Sequence, residues 1–188
     1  MPRPNFFFAF PLDGQFVQQL PAPPPFFRLF HSEDVHLTLS FLGGCGQAAA
    51  ERALLALDDA LLRAPPPSIR ISLGAVVPMG PARAYSALSA LLERGREPTT
   101  NLIASLRDVL SEAALGRREQ RAPKPHVTIA RPRSHATEAA RKAGVHWAAQ
   151  LNLLGVEAML DRVGLYTWSE GNRRDRLFRI VAERRLVP

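Results

Sequence analysis

This 188-residue chain is short of several things, and each shortage removes a class of protein. It has one cysteine, Cys45. No intrachain disulfide can form and no multi-cysteine metal site exists, which fits a reducing compartment. Cys45 stands among Gly43, Gly44 and Gly46. Nothing beside it marks a nucleophile, so it reads as incidental. No apolar run is long enough to cross a membrane. The aromatic stretch Phe6-Phe7-Phe8-Ala9-Phe10 is cut off by Pro11 and Asp13 and is too short even for a signal-peptide core. A soluble, cytoplasmic protein that does not engage membranes is expected. The sequence also lacks a His-Glu-x-x-His pair and clustered carboxylates, so no metal and no cofactor are expected. Lysine occurs only at Lys124 and Lys142.

What is present is an ordinary folding composition, 46% hydrophobic and 22% charged, with an excess of arginine. The net charge is +7, and all but two of the 24 basic residues are arginine. A guanidinium is a planar fork suited to phosphate oxygens. Such a surface points to an anionic partner, nucleic acid first, or equally to a compositional preference for Arg, Ala, Pro and Leu.

The periodicities give an order of elements. Residues 5–10 read as a buried, central strand. Asp13 can cap a short helix to about residue 20, after which the prolines at 21–25 forbid regular structure. Residues 26–30 read as a short extended segment. A helix is expected over 47–64, a strand over 68–77, a turn over 78–81 and a hairpin partner over 83–88. A helix capped by Thr99 or Thr100 runs to about residue 115. Residues 116–124 form a basic loop. Ser134 or Thr137 starts a helix to about residue 150, strands follow over 156–160 and 163–168, Gly171-Asn172 turns, and residues 177–182 return as a last strand. Several connections look like hairpins, so the fold class is α+β with mostly antiparallel strands.

Two strands carry the chemistry. In Val35-His36-Leu37-Thr38-Leu39-Ser40-Phe41-Leu42, strict alternation puts His36, Thr38 and Ser40 on one face and Val35, Leu37, Leu39 and Phe41 on the other. Phe41 is therefore expected in the core. Pro125-His126-Val127-Thr128-Ile129-Ala130-Arg131 repeats the pattern. In each copy an imidazole and a hydroxyl lie about 7 Å apart along the strand. The two copies suggest two related lobes facing across a cleft. Histidine titrates near working pH, so one imidazole can act as base and the other as acid. The threonines can bond the non-bridging oxygens of a phosphate between them. One His-x-Thr alone is more often surface sheet; the pair, in matching strand context, is what points to a site.

The extended forms His-x-Thr-Leu-x-Phe-Leu-Gly (residues 36–43) and Pro-His-x-Thr-hydrophobic-Ala-Arg (residues 125–131) resemble the two signatures of the 2H phosphoesterase superfamily. Within it they are similar to the RNA 2′,3′-cyclic phosphodiesterases, also called 2′-5′ RNA ligases. The resemblance spans nearly the whole chain, from the aromatic first strand to Leu165-Tyr166-Thr167-Trp168-Ser169-Glu170. It implies a single domain over residues 1–188. Two pseudo-symmetric lobes, each contributing one His-x-Thr strand, would flank a central cleft with the helices outside. It implies metal-independent hydrolysis of RNA 2′,3′-cyclic phosphate ends to 2′-phosphomonoesters, with His36 and His126 catalytic and Thr38, Thr128 and Arg131 binding phosphate. His126 is assigned as the base and His36 as the acid. The chain departs from the family pattern at its start: the first strand usually begins with an arginine close before the aromatic run, whereas here Arg3 stands two residues before Asn5, with Pro4 between.

Further candidates are weaker. Arg117, Arg118, Arg121 and Lys124 directly precede the second motif and are candidate RNA backbone contacts. Tyr166 and Trp168 are candidate base-stacking residues. His31, His135 and His146 read as surface or structural. The partners implied are RNA with a 2′,3′-cyclic phosphate end, tRNA fragments among them, and nucleotides in the same cleft; the chain is expected to act as a monomer. Two other readings stand beside the hydrolase. One is a 2′-5′ ligase acting on tRNA halves. The other is a nucleotide- or RNA-binding module with a vestigial site.

Overall fold

A computed structural model describes residues 4–81, 83–171 and 176–188. Arg3 and Asn172 lie outside the described residues. The elements run β1 (Phe6–Pro11), β2 (Phe27–Leu29), β3 (His36–Gly43), α1 (Gln47–Arg63), β4 (Ile69–Met79), β5 (Ala87–Arg94), α2 (Arg96–Leu115), β6 (His126–Pro132), α3 (Glu138–Gln150), β7 (Glu157–Leu160), β8 (Arg162–Trp168) and β9 (Phe178–Arg185). Short 3-10 turns at Gln15–Gln19 and Ser32–Asp34 flank β2.

The strands form one curled, antiparallel half-barrel in the order β7-β4-β5-β6-β3-β1-β8-β9, with β2 added beside β6. The first aromatic strand is central, between β3 and β8, because every residue from Phe6 to Phe10 is buried. Phe6, Phe8 and Phe10 join the main core, which fills the space between sheet and helices. There they meet Ala53 and Leu57 of α1, Leu106 and Leu110 of α2, and Trp147 of α3. Phe7 and Ala9 point the other way and form a small second cluster with Tyr166. That second face carries the site.

Most element types follow the sequence, and the differences have local causes. The helix expected from Thr99 begins at Arg96, because Pro98 falls in the first turn, where its missing N–H is harmless. Gly95 precedes it with φ 73°, and a Cβ there would lie 2.6 Å from the Arg70 carbonyl oxygen. Pro78 continues β4 rather than ending it. The far edge of β4 pairs with β7 only over Ile69–Ser72, so at Pro78 no second ladder needs an N–H. The hairpin partner consequently starts at Ala87, not at residue 83. The helix expected after Asp13 is only a 3-10 turn, with Asp13 Oδ1 accepting from the Gln15 N–H at 3.0 Å. Among the described residues no helix is long and apolar enough to cross a membrane.

Candidate active site

The two motif strands, β3 and β6, are neighbours at the centre of the sheet, joined at the pair Leu37↔Val127. Counting outward from that antiparallel pair sets His36 level with Thr128 and Thr38 level with His126. Leu37 and Val127 are fully buried on the helix side, which turns the residues on either side of them toward the open face. Beyond this contact the strands part, and β2 pairs with the end of β6 through Arg28↔Arg131.

Each strand carries a bulge at the same place in its motif. Against β1, Ser40 and Thr38 pair with successive residues, so Leu39 is extra. Against β5, Ala130 and Thr128 pair with successive residues, so Ile129 is extra. A bulge of this kind flips the alternation of every side chain after it. Ser40 therefore faces the helices, with its hydroxyl 3.2 Å from that of Ser111 on α2. Ala130 likewise joins the core. Phe41 and Arg131, five residues after their histidines, then emerge on the cleft side. This corrects the expectation for Phe41: its side chain is 61% exposed, not in the core, and lines the same hollow as His36.

That hollow, about 300 Å³, is lined by His36, Thr38, Phe41, Arg131, Trp168 and Phe178, among others. His36 is almost fully buried inside an aromatic box. Its ring centroid lies 5.0 Å from Phe7, 5.4 Å from Tyr166, 5.6 Å from Phe178 and 6.2 Å from Phe30. Burial pushes its pKa down to about 4, partly offset by a backbone hydrogen bond, with Arg131 and His126 adding smaller downward contributions. The ring donates from Nδ1 to the Asp34 carbonyl oxygen at 2.6 Å. A carbonyl can only accept, so Nδ1 carries the hydrogen. In the neutral ring Nε2 is then left with a lone pair. His126 repeats the arrangement, donating from Nδ1 to the Lys124 carbonyl oxygen at 2.7 Å. Each histidine is thus oriented by the carbonyl two residues before it.

The remaining candidates divide. Thr128 is buried, its hydroxyl 3.3 Å from that of Ser89 on β5. The Arg131 guanidinium lies 5.1 Å from the centre of the Phe30 ring. Surrounding protein lowers its pKa, but an arginine of this kind stays charged. Trp168 borders the hollow. Tyr166 does not: it is buried and stacked on Phe7, with ring centroids 5.0 Å apart and planes 13° from parallel. Neither of its faces is open to a base. Arg117, Arg118 and Arg121 line a separate cavity beside the hollow, and Phe41 belongs to both. Lys124 contributes its carbonyl to His126, and its side chain lines neither cavity. His31 caps the turn before β3, accepting from the Glu33 N–H. His135 packs edge-on to Phe26, and His146 pairs with Gln150, both at the surface.

Some working parts carry no mark in the sequence that singles them out. Asp34, fully buried, fastens the wall of the hollow: its carboxylate accepts from the Leu177 N–H at 2.7 Å and the Phe178 N–H at 3.0 Å. Ser89 is a common residue on an ordinary strand and gives no signal. Phe7 is visible as an aromatic, but not as part of a histidine's surroundings.

Comparison with known proteins fits this geometry. The model of the 2′-5′ RNA ligase superfamily matches residues 14–172. No curated protein matches the chain. Among solved structures, E. coli LigT complexed with 3′-AMP shares 20% identity over 100% of both chains, with a TM-score of 0.71. TT0787 of Thermus thermophilus shares 22% over 97% of both chains, with a TM-score of 0.67. Usb1 of Kluyveromyces marxianus shares 10% over 98% of this chain and 97% of its own, with a TM-score of 0.59. At these identities the likeness is one of fold. The family match spans most of the chain, and this protein belongs to the 2′-5′ RNA ligase superfamily, the 2H phosphoesterases, enzymes acting on phosphodiester bonds.

Proposed function

We propose that this chain hydrolyses RNA 2′,3′-cyclic phosphate ends to 2′-phosphomonoesters, without a metal, using His36 and His126. The observation that carries the reading is the placement of two imidazoles on adjoining strands, each oriented by a backbone carbonyl and each beside a threonine. The cyclic phosphate would sit over the Leu37–Val127 junction, with Thr38, Thr128 and Arg131 around its non-bridging oxygens. LigT has been seen with 3′-AMP, with ATP and with phosphate, which supports a nucleotide phosphate as the occupant here.

In the reaction one histidine takes a proton from water as the water oxygen bonds to phosphorus. The P–O3′ bond breaks as the other histidine protonates the departing oxygen. The sequence resemblance assigns His126 as the base and His36 as the acid. The aromatic box favours the reverse. A histidine held neutral, with a free lone pair on Nε2, is ready to accept a proton rather than to give one. We therefore assign His36 as base and His126 as acid, on one domain built of two lobes that each supply a motif strand.

The test is incubation of the purified protein, in EDTA, with an RNA oligomer ending in a 2′,3′-cyclic phosphate. A 2′-phosphate product supports the reading. Bound but unconverted RNA would favour a binding module, and a strict need for added metal would contradict the mechanism.

A further inference from the structure

The two motif threonines are alike in sequence and unlike in their surroundings. Thr38 is half-buried in the lining of the hollow, and its partner on β1 is Ala9, which offers its hydroxyl nothing polar. Thr128 is paired with Ser89 on β5. Leu88 and Ala90, on either side of Ser89, both join the main core. Ser89 therefore points to the opposite face, the one that carries Thr128. There the two hydroxyl oxygens lie 3.3 Å apart. The contact is long for a hydroxyl pair, yet among the described residues it is the one hydrogen bond that either side chain makes.

Burial places the protons of this pair. Ser89 is 0% exposed and Thr128 is 8% exposed. A buried hydroxyl proton without an acceptor is costly. Ser89 is sealed from water, so its proton has one acceptor, the Thr128 oxygen. Were Thr128 to donate instead, the Ser89 proton would be stranded. Thr128 keeps a narrow opening on the cleft side, level with His36. It thus accepts from behind and has its own proton left to give in front, and the incoming bond polarises its O–H. The first motif has no such backing: its nearby serine, Ser40, faces the helices beside Ser111.

We propose that Ser89 is a positioning residue, which donates to Thr128 and thereby fixes the Thr128 hydroxyl as a ready-aimed donor to a non-bridging phosphate oxygen. The inference rests on the cyclic-phosphate reading and adds a division of labour between the two threonines. A donor aimed before the substrate arrives costs no reorganisation when charge builds on the phosphate oxygens in the transition state. The Thr38 hydroxyl, with no partner among the described residues, is a free rotor that the phosphate itself must turn.

The experiment is a pair of double-mutant cycles. Ser89→Ala alone should lower kcat for a nucleoside 2′,3′-cyclic phosphate by roughly 2- to 10-fold, the worth of one ordinary hydrogen bond, with KM changed less. In a Thr128→Val background the same change should have no further effect on kcat, because the group it acts through is gone. In a Thr38→Val background the full factor should persist. An unchanged kcat in Ser89→Ala, or the same factor in both backgrounds, would overturn the proposal, since a mere loss of packing acts equally in either. Stability reads the pair without turnover. Thr128→Val strands the Ser89 proton and should lower Tm by roughly 3 °C or more, and adding Ser89→Ala should recover most of that loss. A double variant no more stable than Thr128→Val would contradict the bond. Should wild type hydrolyse no cyclic phosphate, the hydrolase reading fails and the positioning role is still tested. Calorimetry with a nucleoside 2′-monophosphate should show weaker binding to Ser89→Ala than to wild type, and equal binding would refute it.

Discussion

Asp34 orients His36 with one group and walls it in with another. Its main-chain carbonyl accepts from His36 Nδ1 at 2.6 Å, while its carboxylate holds the backbone of Leu177 and Phe178. Phe178 in turn packs edge-on to the His36 ring. The histidine's tautomer and its dry surroundings therefore depend on one residue two positions away.

This separates two effects in a variant. Asp34→Ala keeps the carbonyl and so the tautomer. It leaves two N–H groups at the start of β9 without their acceptor, at a cost of roughly 1–3 kcal/mol each. Urea denaturation should show a loss of about 2 kcal/mol or more. Activity at a pH and denaturant concentration where the variant is fully folded should also fall, because the Phe178 wall is released. Stability within about 0.5 kcal/mol of wild type, the usual range for surface changes, would show that the carboxylate does not hold this wall.

The depressed pKa of His36 makes stability pH-dependent with a defined sign. The unfolded histidine takes its proton near pH 6.5, the folded one only near 4. Between those values the unfolded state binds more protons, so this contribution is fully present above pH 6.5 and is lost as pH falls to about 4. Its size is on the order of 3 kcal/mol. His36→Phe, a ring for a ring in an aromatic box, should remove this part of the slope. Tm measured from pH 7.5 to 4 for both proteins checks it, and parallel curves would mean that His36 is not held neutral by the fold.

The burial of His36 gives the proposed base a signature in the rate profile. If His36 is the base, kcat/KM in the free protein stays high down to about pH 4 before His36 protonates. An acid limb near the ordinary histidine value of about 6.5 would contradict this role.

Which histidine protonates the leaving oxygen can be read from chemical rescue. A cyclic phosphate with sulfur in place of the bridging 3′ oxygen expels a thiolate, which needs no acid. His126→Ala should regain much of its activity on that substrate and His36→Ala should not. Rescue of His36→Ala alone would restore the opposite assignment.

The sequence made much of this fold readable, because periodicity and turn chemistry act locally. The central aromatic strand, α1, the Thr137-capped α3 and both motif strands lie close to where alternation and capping put them. What escaped was set by pairing between strands. Strict alternation buries Phe41 and also puts Arg131 on the core side. The bulges that bring both to the cleft come from the match of β3 to β1 and of β6 to β5, which no single strand reveals. Tyr166 escaped for a related reason: its position on β8 was readable, but its stacking against Phe7 depends on β8 pairing with β1, whose residues lie far away in sequence. The burial of His36 likewise depends on Phe7, Phe30, Tyr166 and Phe178, gathered from four separate segments.

The most direct single measurement is single-turnover conversion of an RNA oligomer ending in a 2′,3′-cyclic phosphate, in EDTA, by wild type, His36→Ala and His126→Ala, with the phosphate position determined in the product. Wild type should yield the 2′-phosphomonoester. Each variant should be slower by at least about 10²-fold, the usual scale for losing one general acid or base, while still binding the oligomer. Conversion at wild-type rates by either variant, or a 3′-phosphate product, would contradict a two-histidine cyclic phosphodiesterase.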